Sequence, residues 1–233
     1  MTLVVRNFDQ NTWARMAAAL IQDQVNLNIS SQSPCSVMLT GGRSAFLLYK
    51  TWTESRKFHD MKGVRFYFGD ERCVPADHPD SNYGMVRRSL FGRGVPAGCS
   101  VFPMNGADSD RDAAARHYDK ALPEKIDVLL LGVGDDGHIA SLFPGSSALL
   151  ETERRVVPVV GPTFPCERLT ITPPVIKQAR SIFVLGTGTA KAAVLRDLLA
   201  VRSDDVLTLP ARLVLDATWL LNTALPESPL TGY

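Results

Sequence analysis

Short apolar runs recur along this chain, each ending on glycine or a polar residue, and helical patterns separate them. That alternation constrains the fold more than any other feature of the sequence. LVVRNF opens as a strand, and TWARMAAALIQDQVNL follows with helical spacing. SVMLT (Ser36–Thr40) reads as a buried strand that ends in Gly41-Gly42 and leads into the amphipathic AFLLYKTWTES. VRFYF (Val64–Phe68), IDVLLLGV and SIFVLGTG are further strands, while NYGMVRRSLF, RDAAARHYDKAL and TAKAAVLRDLLA read as helices. LPARLVLDATWLLNTAL (209–225) reads as a short strand followed by a helix. Apolar, β-rich runs separated by helices imply an α/β fold with a mostly parallel, doubly wound, Rossmann-like sheet carrying helices on both faces. The least regular stretch, Gly145 to Pro174, is rich in proline. Because the βα pattern resumes after it unchanged, it reads as an excursion inside one domain spanning residues 1–233.

Composition removes several functions. Of the 233 residues 45% are hydrophobic and 21% charged, and the net charge of +1 leaves no broad surface for nucleic acid or membrane, so any bound anion should be small. No run reaches the roughly 18 apolar residues of a membrane span, and MTLVVRNFDQ lacks the basic and apolar regions of a signal peptide. Cys35, Cys73, Cys99 and Cys166 contain no C-x-x-C pair. They read as free thiols in a cytoplasmic protein, with no zinc site and no disulfide framework. No obligate protein partner is expected.

In open α/β sheets ligands bind beyond the carboxyl ends of the strands. Four expected strands end in polar or glycine-rich loops: LTGGRS (39–44), FGDERCVP (68–75), GVGDDGHIASLFP (132–144) and LGTGTAK (185–191). Parallel strands would bring these loops to one edge. In the third, Gly132, Gly134 and Gly137 satisfy the dinucleotide pattern G-x-G-x-x-G, and Glu151 or Glu153 falls where a ribose-binding acid would stand. Asp135 and Asp136 argue against it, because a pyrophosphate needs bare N–H groups and a positive helix end there. Pro144 also leaves little room for the long helix that should follow.

His138 gives the loop a different purpose. It follows a buried strand, glycines precede it, and Asp136 is close enough to orient its ring. A histidine in this setting is a candidate general base, and the glycine amides could donate to a developing oxyanion. His59, His78 and His117 sit in polar turns or helices and have weaker claims. Arg43, Arg72, Arg168 and Lys191 supply positive charge at the same edge. Lys191 falls in the first turn of its helix and LTGGRS offers a second glycine-to-helix start, so both favour an anion. Together they suggest a small phosphorylated molecule. Asp70 could bind sugar hydroxyls or move a proton, or could pair structurally with Arg72. DHPDSNYG reads as a turn with Asp80 or Ser81 as helix cap.

LTGGRS, FGDERCVPADHPDSNYGM, DVLLLGVGDDGHIASLFPG, RLTITPPVI and GTGTAKAAVL, in this order, closely resemble the 6-phosphogluconolactonase family. The resemblance spans roughly Met38 to Leu195. It implies hydrolysis of 6-phospho-glucono-1,5-lactone to 6-phosphogluconate without metal or organic cofactor. It gives His138 the role of base, with Asp136 supporting it and Asp70 near the sugar. Gly41, Gly42, Arg168 and Lys191 would receive the phosphate with help from Arg72. Arg43 departs from the G-G-S-T-P of many relatives and keeps an open role. The related glucosamine-6-phosphate deaminases share the D-G-H-I-A loop but continue F-N-E-P, with a glutamate that works beside the histidine. Here Phe143 stands where that carboxylate would be. A deaminase-like isomerase and a non-catalytic sugar-phosphate sensor are the alternatives.

Overall fold

The computed structural model describes residues 3–29, 34–200 and 205–223. Seven strands form one wholly parallel sheet. In chain order they are β1 (Val4–Asn7), β2 (Cys35–Leu39), β3 (Val64–Phe68), β5 (Ser100–Val101), β6 (Val128–Gly132), β9 (Ser181–Thr187) and β10 (Thr218–Asn222). Across the sheet they run β1-β10-β9-β6-β2-β3-β5. All five residues of β2 are buried, as are the first four of β6. Such continuous burial needs cover on both faces, which is why these strands read as unbroken apolar runs rather than alternating ones.

The helices supply that cover. They are α1 (Trp13–Asn28), α2 (Arg43–Trp52), α3 (Arg56–His59), α4 (Asn82–Ser89), α5 (Arg111–Ala121), α6 (Pro173–Gln178) and α7 (Ala190–Ala200). Trp13, Trp52 and Trp219 are fully buried, and each indole N–H finds an acceptor. Unpaired, each would cost about 1–3 kcal/mol. None of the helices among the described residues is long and apolar enough to cross a membrane.

Two departures from the sequence expectation matter. The irregular stretch 145–174 contains β7 (Val156–Val160) and β8 (Glu167–Ile171), which pair antiparallel with each other. With β4 (Asp70–Arg72) they form a second, three-stranded sheet in the order β4-β8-β7. FGDERCVP therefore does not simply close β3. It crosses into this second sheet, and Pro158 is tolerated because β7 is an edge strand. The C-terminal expectation is inverted. Pro210–Val214 is a 3-10 turn and Thr218–Asn222 is an interior strand between β1 and β9, whereas a strand and then a helix were expected. A short apolar run buried on both sides carries no periodicity to separate strand from helix. Residues 224–225 of the expected helix lie outside the described residues.

Candidate active site

The carboxyl ends of β2, β3 and β6 and the start of the small sheet enclose a cleft of about 120 Å³. Gly41, Gly42, Asp70, Arg72, Asn82, His138 and Arg168 are among the residues lining it. Through Gly41, Gly42, Gly132 and Val133 it adjoins a larger cavity of about 1030 Å³, which Arg43 and Lys191 line. Asp136 lies on the other side of His138, in a third cavity that also contacts Arg168.

The loop after β6 is folded around His138. Asp136 Oδ1 lies 2.6 Å from the ring Nδ1 and also accepts the His138 amide at 3.1 Å. With Nδ1–H committed to a carboxylate, Nε2 is the nitrogen left to act as a base. Burial alone would raise the Asp136 carboxyl. The His138 amide, the ring charge and the ring hydrogen bond together outweigh that and hold it below the usual range. Gly134 is needed for the ring to fold back, since a Cβ there would fall 2.1 Å from Nδ1. Ala140 takes a φ of +49°, the only positive value at a non-glycine among the described residues. Such conformations cost of order 1–3 kcal/mol and persist where surrounding contacts enforce them.

Those contacts come from the small sheet. Ser141 Oγ donates to Asp70 Oδ2 at 2.7 Å, and the Ser141 amide donates to Thr170 Oγ1 at 3.1 Å. Asp70 and Thr170 are register partners across β4 and β8. Asp70 Oδ1 accepts from Asn82 Nδ2 at 3.1 Å, so both carboxylate oxygens are engaged and the residue is only 5% exposed. Asp70 reaches the cleft wall as an anchor for the histidine loop, not as a free carboxylate.

Glu71 is buried beneath it. It accepts the amides of Arg72, Asn82 and Tyr83 and the hydroxyl of Ser81, and so caps α4. Desolvation raises its carboxyl despite these donors. Ser81, not Asp80, is the N-cap, accepting from Gly84. Asn82, read from sequence as part of a turn and helix start, turns out to line the cleft. The D-S-N triplet was its signal, and Gly41 makes way for it, because a Cβ at Gly41 would fall 1.9 Å from Asn82 Oδ1.

The positive charge is divided between two places. Arg72 and Arg168 are direct cross-strand partners between β4 and β8, and neither makes an ion pair among the described residues. Arg72 donates to the Asp80 carbonyl and Arg168 to Thr163, yet the buried Nε of each lacks a partner. Desolvation first, and Arg72 second, lower the Arg168 pKa. Like charges placed opposite one another on a ladder are destabilising, and a bound anion would relieve them. Lys191, in the first turn of α7, is instead ion-paired with Asp135, and Arg43 is exposed at the start of α2. Gly42, with φ +94° and ψ 171°, takes a conformation essentially reserved for glycine. The amides of Gly41 and Gly42 meet no acceptor among the described residues.

The other glycine amides do not form an oxyanion hole. Gly132 donates to Thr40 Oγ1, Gly134 to the His138 carbonyl and Gly137 to the Gly134 carbonyl. The dinucleotide pattern fails structurally as well, since turns and a short 3-10 segment at Ser147–Leu150 follow β6 where a long helix should stand. Among the described residues no cluster of three or more His, Cys, Asp or Glu could hold a metal ion.

The strand ends of a parallel α/β sheet thus carry a carboxylate-held histidine and, beside it, two arginines without ion pairs among the described residues. Residues 9–221 match the family described as glucosamine-6-phosphate isomerases/6-phosphogluconolactonase, and the chain belongs to it. Several similar relatives are 6-phosphogluconolactonases. The 6-phosphogluconolactonase of Pseudomonas putida is 36% identical over 212 residues, covering 88% of this chain and 85% of its own. That of Synechocystis is 31% identical, covering 91% and 92%. Two solved 6-phosphogluconolactonases agree in fold. The Shewanella baltica structure has a TM-score of 0.83 at 27% identity, covering 95% of this chain and 97% of that one. The Trypanosoma brucei structure has 0.82 at 31%, covering 95% and 96%.

Proposed function

We propose that the chain hydrolyses 6-phospho-D-glucono-1,5-lactone to 6-phospho-D-gluconate, with His138 as general base. One observation carries this reading. The Asp136-held imidazole lines the same small cleft as two guanidiniums that make no ion pair among the described residues, a base and an anion site within reach of one sugar phosphate. Nε2 of His138 takes a proton from water as the water oxygen bonds to the lactone carbonyl carbon. The tetrahedral intermediate then expels the ring oxygen, which receives the proton back from the imidazolium. One water is consumed and the ring opens to a carboxylic acid. Asp136 stabilises the imidazolium that forms in between.

Arg72, Arg168 and the free amides of Gly41 and Gly42 bind the phosphate, and Lys191 joins them once released from Asp135. Asp70 and Asn82 hold the wall against which the sugar hydroxyls pack. A lactone is an activated ester, so one oriented base and a positioned substrate meet the demand of the reaction. Both sheets feed one cleft, which supports reading residues 1–233 as a single domain. The four free thiols support a cytoplasmic location.

Proton release on freshly prepared phosphogluconolactone, followed at constant pH, tests the reading. The expected result is hydrolysis well above the spontaneous rate, abolished in His138→Ala. A rate no greater than the spontaneous one rejects it. Ammonia release from glucosamine 6-phosphate would instead assign the deaminase reaction.

A further inference from the structure

The ring of Phe143 stands between the two halves of the site. Its centroid is 4.7 Å from that of His138 at an angle of 46°, and the Arg168 guanidinium carbon lies 5.4 Å over its face. The residue is 8% exposed. Gly161, just after β7, closes the remaining side. A Cβ there would fall 2.8 Å from Arg168 Nε and 3.0 Å from Phe143 Cε2. Phe143 thus touches both His138 and Arg168.

We infer that Phe143 is a positioning residue for the reaction proposed above, holding the His138 ring plane and the Arg168 fork in fixed relation. Three physical features support it. The aromatic face attracts the guanidinium, an interaction worth more when desolvated, as Arg168 is here. The same ring is a flat wall for the imidazole, which Asp136 ties only at Nδ1, so rotation about that hydrogen bond is blocked. Finally, a hydrocarbon at this point accepts no proton. It leaves Asp136 as the carboxylate hydrogen-bonded to the imidazole, so Nε2 exchanges its proton with substrate and water rather than with a second acid. A 1 Å misplacement of a reacting group can cost about 100-fold in rate, and Phe143 limits that error for two groups at once.

The inference rests on the lactonase reading, and wild-type hydrolysis is its control. Phe143→Leu keeps an apolar side chain and removes the flat face. Gly161→Ala keeps the ring but displaces it, and Gly161 does not line the catalytic cleft. Both variants are expected to lose about tenfold in kcat. KM for the lactone, and the Kd for 6-phosphogluconate measured by calorimetry, should rise only about threefold. A residue that merely fills space would lower the melting temperature and leave kcat within twofold. That outcome in either folded variant overturns the inference, as would a rise in KM with unchanged kcat. Absence of hydrolysis by the wild type would reject the lactonase reading instead. Should Phe143→Leu not fold, Gly161→Ala decides alone.

Discussion

The loop after β6 and the β4–β8 ladder deliver charge to the same cleft, and they hold it in opposite ways. In the loop the histidine and its carboxylate satisfy each other locally. Asp136 accepts both the ring and the amide of His138, and Gly134 and the His138 carbonyl close a short turn. On the ladder, register alone sets two arginines side by side, and each keeps a buried, unpaired Nε. On the proposed reading the base is therefore ready before substrate arrives, whereas the facing arginines repel one another until an anion binds. Preorganisation of the reacting group and relief of repulsion on binding are separate physical devices, and here they sit on separate sheets.

Substitutions can break that division of labour. His138→Ala should have the largest effect, lowering kcat by about 10²–10⁴ while 6-phosphogluconate still binds. Normal turnover in that variant would remove the base from the loop altogether. Arg168→Met should act on binding instead, raising KM by roughly tenfold through loss of charge-assisted hydrogen bonds. Because it removes one of two facing cations, the ligand-free variant should melt no lower than wild type. An unchanged KM would move the phosphate away from the ladder.

The link between the two regions is open to a third test. Ser141→Ala leaves Asp70 Oδ2 buried without its donor, and should cost about 1–3 kcal/mol of stability in chemical denaturation. Its kcat should fall less than that of His138→Ala. Retention of full stability would mean that the loop and the small sheet are not coupled through Asp70. The smallest effect concerns pH. The Asp136 carboxyl is held below its ordinary value in the folded state, so its contribution is present above the unfolded value of about 3.9. It is lost as pH falls through the folded value. Asp136→Asn should melt slightly below wild type at neutral pH, with the gap closing below about pH 4. A gap independent of pH would point to packing and not to charge.

How much of this was legible in advance follows the same division. His138 and Asp136 are two residues apart, and the glycines that let the ring fold back are their neighbours, so a reading of one short segment sufficed. Gly42 and the Lys191 helix start were legible for the same reason. That Asp135 holds Lys191 was not, because the pair joins a loop to a distant helix. Asn82 was visible only as part of a turn and helix start, since its approach to Gly41 depends on how α4 packs. The second sheet went unseen because β4 is three residues long and β7 carries a proline.

The sequence by itself determined the parallel α/β class, since short unbroken apolar strands alternating with amphipathic helices encode their own burial. It also determined the histidine loop, whose geometry is closed by hydrogen bonds among near neighbours. Tertiary structure alone decided that β10 inserts between β1 and β9, that Arg72 faces Arg168, and that Asp70 is an anchor. It also put Phe143 between base and arginine. Each of these rests on the register or packing of segments far apart along the chain, and local composition carries no record of either.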